Sequence, residues 1–161
     1  MEKYRFLECE SGIKFLAFGR TLEEVFENST YALVETIFNE KVKDDLVTRI
    51  KVVGEDYETL LYNFLEQILV LLKSEKFLLN KINRMSKIRF NKNDELELIA
   101  DVSGDDLKKY ETLGDVLSID YSKMFVKSPD SNINKKFNLL KSDSFSSQEK
   151  KKWICQVVLG V

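Results

Sequence analysis

The sequence predicts an α+β protein, a two-layer sandwich in which a mixed or antiparallel sheet carries two main helices on one face. Three observations lead there. Two long stretches repeat their apolar residues at helical spacing behind good capping residues. The stretches around and after them fall towards a period of two. The order is strands, helix, strand, helix and then several strands, which favours α+β over an alternating parallel fold.

The elements follow in chain order. Tyr4–Leu7 and Ile13–Phe18 are short apolar runs joined by a polar elbow, Glu8-Cys-Glu-Ser-Gly12. Thr21 with Glu24 forms a capping-box pattern. Behind it Leu22, Val25, Phe26, Ser29, Ala32, Leu33 and Ile37 share one face of a helix expected from about Leu22 to Phe38. Asp44–Val53 alternates as a strand with Leu46, Thr48, Ile50 and Val52 on one side, and Gly54 closes it. Asp56 is placed to cap a second helix, about Tyr57 to Ser74, very apolar and so expected to lie against a sheet with apolar neighbours over much of its girth. Lys81–Phe90 and Glu95–Val102 flank Asn91-Lys-Asn-Asp94, a hairpin turn. Ser103–Gly114 is polar, with a single helical turn expected at Asp106–Tyr110, and Leu113–Val126 reads as a further strand region. About 127–152 is a polar insert rich in Ser, Asn, Lys and Asp, with a short strand expected at Phe137–Leu140. Trp153–Val161 closes the chain as an apolar strand. No internal repeat stands out.

Composition narrows the function. The chain has 161 residues, is 43% hydrophobic and 32% charged, and carries a net charge of −2. That length fits one domain with a substantial core, and the charge gives no strong field towards nucleic acid or anionic lipid, although Lys is abundant enough for a local patch. There is no histidine, which excludes Ser-His-Asp and Cys-His catalysis, imidazole metal ligands and a histidine pH switch. The two cysteines, Cys9 and Cys155, form no CxxC pair and are expected to be buried strand residues in a reducing compartment. The first residues are charged and the longest apolar run, Ile68–Leu72, is far too short to span a bilayer, so a cytoplasmic protein is expected.

Few motifs carry chemistry. The phosphate-cradling glycine loops are missing. Asn28-Ser-Thr matches a glycosylation sequon but falls inside a helix. The acid pairs Glu23/Glu24, Asp44/Asp45 and Asp105/Asp106 match hard-cation ligands in type, yet such pairs more often start helices and turns. Lys150-Lys-Lys152 suits either a phosphate or, more simply, a solvated loop.

Leu22-Glu-Glu-Val-Phe-Glu-Asn-Ser-Thr-Tyr-Ala-Leu33 resembles the first helix of the archeases. Val53-Gly-Glu-Asp-Tyr-Glu-Thr-Leu-Leu-Tyr-Asn-Phe-Leu65 resembles the second helix of the same family. Phe6-Leu-Glu-Cys-Glu-Ser-Gly-Ile13 stands where archeases carry Glu-His-Thr-Ala-Asp-Ile, and Trp153–Val161 is similar to their terminal strand. The match runs through nearly the whole chain, with an insert at 127–152 that looks longer than is typical. The resemblance implies one archease-like domain over 1–161 and a protein cofactor, not an enzyme, that assists the GTP-dependent tRNA-splicing RNA ligase. It promotes guanylylation and turnover of the ligase, touches tRNA indirectly, and has a tRNA methyltransferase as a second implied partner. No membrane is implied.

The same resemblance raises a difficulty. In the family, an Asp of the N-terminal motif and an Asp just before the last residue bind a divalent metal. Here those positions fall on Gly12 and Gly160. The motif's His becomes Cys9, a functional Lys becomes Leu117 beside Ser118-Ile-Asp-Tyr121, and a His-Asp pair becomes Ser122-Lys123. Ca²⁺, Mg²⁺ and Mn²⁺ need charged or carbonyl oxygens, and glycine offers only backbone. No catalytic residue, cofactor or metal is therefore expected. A metal enters only if Glu10, Asp115 or Asp120 compensates, Glu10 being two residues from Gly12 and so on the same side of an extended strand. Pairing Gly12→Asp with Gly160→Asp is then expected to create metal binding. The alternative to a working ligase cofactor is a non-catalytic interaction or scaffold protein in RNA processing that kept the fold and lost the chemistry. An unrelated enzyme on the same scaffold is the third and poorest fit.

The polar insert yields a first prediction. Deleting much of 130–148 is expected to leave a folded protein, because a segment of this composition contributes little core. A thermal melt checks it, and a large drop in Tm would refute it.

Overall fold

The computed structural model describes residues 2–116, 118–129 and 152–161. The element order is β1 (Tyr4–Leu7), β2 (Ile13–Gly19), α1 (Leu22–Ile37), β3 (Leu46–Gly54), α2 (Tyr57–Ser74), β4 (Phe77–Met85), β5 (Arg89–Phe90), β6 (Leu96–Asp106), β7 (Ser118–Ile119), β8 (Phe125–Lys127) and β9 (Trp153–Gly160). Short 3₁₀ turns occupy Leu107–Lys109 and Tyr121–Lys123. The α+β class and the two helices stand as the sequence predicts. The expected strand at Phe137–Leu140, and the insert from 130 to 151, lie outside the described residues.

The strands divide into two sheets instead of one, and every pairing is antiparallel. The first has the order β1-β2-β9-β7, with β8 also on β9; the second has the order β3-β6-β4, with β5 also on β6. In the first, Phe15 lies opposite Val157 and Ala17 opposite Cys155; in the second, Ile50 lies opposite Ala100 and Val52 opposite Leu98. These residues are all buried and belong to one cluster shared with both helices. Phe26 of α1 and Phe64 of α2 meet there, ring centroids 6.2 Å apart. The first sheet is not free on its far side either. Leu16, Phe18 and Ile154 make a second buried cluster with Leu7 and Phe125 packed against it. Burial on both faces explains why β2 and β9 read as apolar runs without clean alternation.

The two helices start the same way, and this corrects the reading that nothing repeats. Each strand ends in a glycine, Gly19 or Gly54, two residues before an N-cap. Thr21 Oγ1 accepts from Glu24 N at 3.1 Å, and Asp56 Oδ1 accepts from Thr59 N at 2.7 Å. Two turns on, Asn28 Nδ2 donates to Phe18 O and Asn63 Nδ2 donates to Val53 O, each at 2.7 Å. A Cβ on Gly19 would lie 2.7 Å from Val25 N, and one on Gly54 2.6 Å from Leu60 N. Both helices thus rest on their strand ends at backbone contact. The repeat escapes the sequence because only Gly, Glu and Asn coincide between Phe18–Asn28 and Val53–Asn63.

Asn28, Ser29 and Thr30 are all buried, which disposes of the sequon. Ser29 Oγ donates to Val25 O at 2.7 Å and Thr30 Oγ1 to Phe26 O at 2.9 Å. Ser29 Oγ also lies 2.9 Å from Cys155 Sγ. Burial pushes the Cys155 thiol up to about 12, so it behaves as the inert core residue expected of it. Cys9 differs from the expectation, since it sits half-buried in the elbow and not in a strand.

The acid pairs accept hydrogen bonds within the fold, from backbone and side-chain donors alike. Glu23 Oε2 accepts from Ile88 N at 2.8 Å, and Asp44 Oδ1 accepts from Asn80 Nδ2 and Ser103 Oγ, both at 2.8 Å. Asp105 is not a solvated turn residue. It is 1% exposed and accepts from Tyr110 Oη at 2.7 Å and from Asp106 N at 2.8 Å. The Tyr110 hydrogen bond is the main reason its carboxyl stays below the usual range. Tyr110 Oη also accepts from Lys43 N at 3.1 Å, and Phe38 packs edge-on to its ring, so this group pins the link between α1 and β3.

Gly54→Ala tests the backbone contact. The variant is expected to lose about 1–3 kcal/mol, because α2 must lift off its strand to admit a methyl group. Urea unfolding measures this, and a loss below about 0.5 kcal/mol would mean that the helix shifts freely.

Candidate functional site

The two glycines singled out as metal-ligand positions, Gly12 and Gly160, meet at one end of the first sheet. Gly12 closes the elbow with φ +111, and a Cβ there would lie 2.1 Å from Leu159 O and 3.8 Å from the Cα of Gly160. Gly160 faces Ser118 in the β7–β9 register, just beyond the Ile13–Leu159 pair of β2 and β9. The two glycines are therefore spatial neighbours although 148 positions separate them in the chain. A Cβ on Gly160 would lie 2.6 Å from Ser118 Oγ. A hydroxyl thus occupies the space towards which a side chain at 160 would point. Sequence reasoning missed Ser118 in this role, because only the pairing of β7 with β9 brings it there.

The three substitute acids do not assemble around this point. Glu10 is exposed in the elbow, where Glu8, Cys9 and Glu10 are the described residues bordering an open hollow of about 550 Å³. Cys9 Sγ donates to Ser11 O at 3.7 Å, a contact within the elbow. Asp120 is committed to its own turn: Oδ1 accepts from Ser122 N at 3.1 Å and from Ser122 Oγ at 2.6 Å, while Lys123 Nζ is 3.9 Å from Oδ2. These hydrogen bonds from Ser122 are the main cause of its lowered pKa. Its backbone N–H donates to Val158 O at 2.9 Å and so anchors the turn to β9. Asp115 is exposed and lines a different cavity, about 140 Å³, with Ile37, Leu72, Lys73, Lys76 and Leu107 at the C-terminal ends of the helices. Leu117 lies outside the described residues, as do Lys150 and Lys151. Lys152 is 6% exposed and so is not a solvated loop cation.

Among the described residues no three Asp, Glu or Cys side chains come together to hold a metal ion. At the glycine pair the donors are a serine hydroxyl and main-chain groups, which do not fit a divalent cation that relies on carboxylates. A gain of metal affinity from Gly12→Asp with Gly160→Asp therefore requires the elbow to refold, since the present chain path leaves no room for a side chain at 12.

One buried acid went unnoticed in the sequence. Glu58, in the first turn of α2, has an Oε2 atom shielded from solvent with no hydrogen-bond partner among the described residues. Burial, helped by the nearby Asp56, raises its pKa. The only sequence signal was its place at a helix start.

With this geometry in place, the comparisons with known proteins can be set beside it. Residues 4–161 match the model of the Archease protein family (MTH1598/TM1083). A relative from Pyrococcus abyssi, named Protein archease, is 34% identical over 135 residues, covering 81% of this chain and 92% of its own. One of the same name from Methanosarcina barkeri is 29% identical over 126 residues, covering 76% of this chain and 85% of its own. The solution structure of Methanobacterium thermoautotrophicum protein 1598 superposes with a TM-score of 0.73 at 24% identity, with 100% of both chains covered, and shares the fold.

The two glycines are unequal, which gives a test. Gly12→Asp is expected to cost roughly 1–3 kcal/mol, from the left-handed backbone and the collision with Leu159 O. Gly160→Asp is expected to cost little, because Ser118 can rotate away. Chemical denaturation of the two single variants decides, and equal losses would mean that the end of β9 yields as easily as a side chain.

Proposed function

The chain belongs to the Archease protein family, and from that membership we propose that it is a non-enzymatic protein cofactor of the GTP-dependent tRNA-splicing RNA ligase, working in the cytoplasm without a divalent metal of its own. The observation that carries the reading is the extent of the family match, residues 4–161, which takes in both helices and both terminal strands. The role is promotion of ligase guanylylation and hence of repeated turnover, with tRNA met through the ligase. A tRNA methyltransferase is a further partner consistent with the family.

The metal-free part of the proposal rests on Gly12, Gly160 and Ser118. A helper that positions a metal for its partner needs a cluster of carboxylates there, and among the described residues no three Asp, Glu or Cys side chains come together. What remains at that end is shape: the elbow, the ends of β7 and β9, and the turn anchored by Asp120. The same observation favours a second reading, a scaffold protein in RNA processing that binds a partner through this fold and activates nothing.

A turnover assay separates the two. Joined RNA per ligase molecule is measured with the ligase from the same source, GTP and Mn²⁺, with and without this chain. Several-fold more joined RNA with the chain present is the expected result, and it should persist in Glu10→Gln and Asp115→Asn variants. An active ligase that is not stimulated would leave the scaffold reading. Calorimetry with Ca²⁺, Mg²⁺ and Mn²⁺ on the purified chain is expected to show no binding, and a clear isotherm would overturn the metal-free assignment.

A further inference from the structure

The outer face of the second sheet carries a set of charged side chains that the proposed function above does not use. β6, its central strand, turns Leu96, Leu98, Ala100 and Val102 into the core and Glu97, Ile99 and Asp101 outward. The registers set outward residues of the neighbouring strands beside these. Arg49 and Arg84 flank Asp101 from the two sides, Lys51 lies beside Ile99, Arg89 lies beside Glu97, and Lys81 lies beside Ser103. Five exposed cations thus share a face with Glu97 and Asp101, and Asp44 joins them at the Lys81 end through Ser103 Oγ at 2.8 Å, which leaves a local excess of +2 (five less three) on a chain whose net charge is −2.

The carboxylates are already engaged on one side. Arg49 holds Asp101 in a two-point contact, Nε to Oδ1 at 2.7 Å and Nη2 to Oδ2 at 3.3 Å, and Lys51 Nζ is 3.7 Å from Glu97. Lys81, Arg84 and Arg89 on the other side form no ion pair with a described residue. Side chains on one face of a strand repeat about every 7 Å. The result is a line of cations along an open edge, with guanidinium forks suited to phosphate oxygens.

We propose that this face, centred on Lys81, Arg84 and Arg89, binds the phosphodiester backbone of single-stranded RNA. Charge complementarity selects a polyanion. The placement of these three cations in line along β6, opposite Ser103, Asp101 and Glu97, selects an extended chain of charges over the compact acidic patch of a folded protein. The choice of RNA rests on the ligase-cofactor reading, but the binding itself is measured on the purified chain without ligase, so the two fail separately. Contacts are to phosphates, so the face positions a strand and does not read its sequence.

The probe is a fluorescein-labelled 15-nucleotide single-stranded RNA, followed by anisotropy between about 25 and 150 mM salt. With about three phosphates neutralised, log K is expected to fall against log salt with a slope of about −2. DNA of the same sequence should bind within a few-fold, since no 2′-hydroxyl is used. The charge reversal Lys81→Glu/Arg84→Glu/Arg89→Glu should weaken binding at least tenfold. The neutral pair Arg84→Gln/Arg89→Gln should flatten the slope by about one to two. Lys108→Glu, on the 3₁₀ turn, should leave binding unchanged, and melts of all variants show that they fold. The proposal is overturned if the RNA fails to bind at 25 mM salt or if the reversal variant binds like the parent. Tighter binding of a poly-glutamate of equal charge would overturn it as well and assign the face to an acidic protein.

Discussion

The fold depends on two helices lying at backbone contact on the ends of their own strands. Gly19 and Gly54 make that approach possible, because a Cβ at either position would press within 2.7 Å of the helix backbone. Asn28 and Asn63 then tie the second turn of each helix to the strand carbonyl just before the glycine. Sterics and a hydrogen bond act together, so local contacts fix the direction of each helix. Phe26 and Phe64 face each other from helices whose direction is fixed in this way. The single large core, shared by two sheets, follows from that geometry.

A scaffold fixed so tightly tolerates loss at its rim. The glycine pair at 12 and 160 sits at the end of the first sheet, away from the Gly–Asn contacts that orient the helices. Backbone of β9 packs straight against the elbow there, with a serine hydroxyl in the one direction still open. A sheet end of this kind needs no carboxylates to keep its core covered, since apolar burial dominates folding and hard ligands contribute little to it. Family membership and the proposed absence of a metal are thus compatible on physical grounds.

The outer surface of the second sheet follows from the same architecture. With α2 covering one face of β3, β6 and β4, the alternation of each strand sends every second residue to solvent. Cations on edge strands keep those edges from pairing with other chains. The engagement of both acids by Arg49 and Lys51 leaves the opposite row of cations as a coherent strip.

The sequence by itself determined both helices to within a residue, their caps, the outer strands, and, through the archease motifs, the family. It could do so because helical periodicity, N-caps and apolar runs are local signals, written within a few residues of where they act. It pointed to Gly12 and Gly160, which the fold brings together, though it gave no sign that a side chain at 12 would meet Leu159. The division into two sheets, the repeated helix start, the burial of Asp105 and Lys152, the shielded oxygen of Glu58 and the placing of Ser118 against Gly160 were decided only in the tertiary structure. Each depends on which distant strand lies alongside, and in antiparallel pairing a shift of one residue reverses the face of every side chain. That choice is made by packing of the whole core, and no local stretch of sequence contains it.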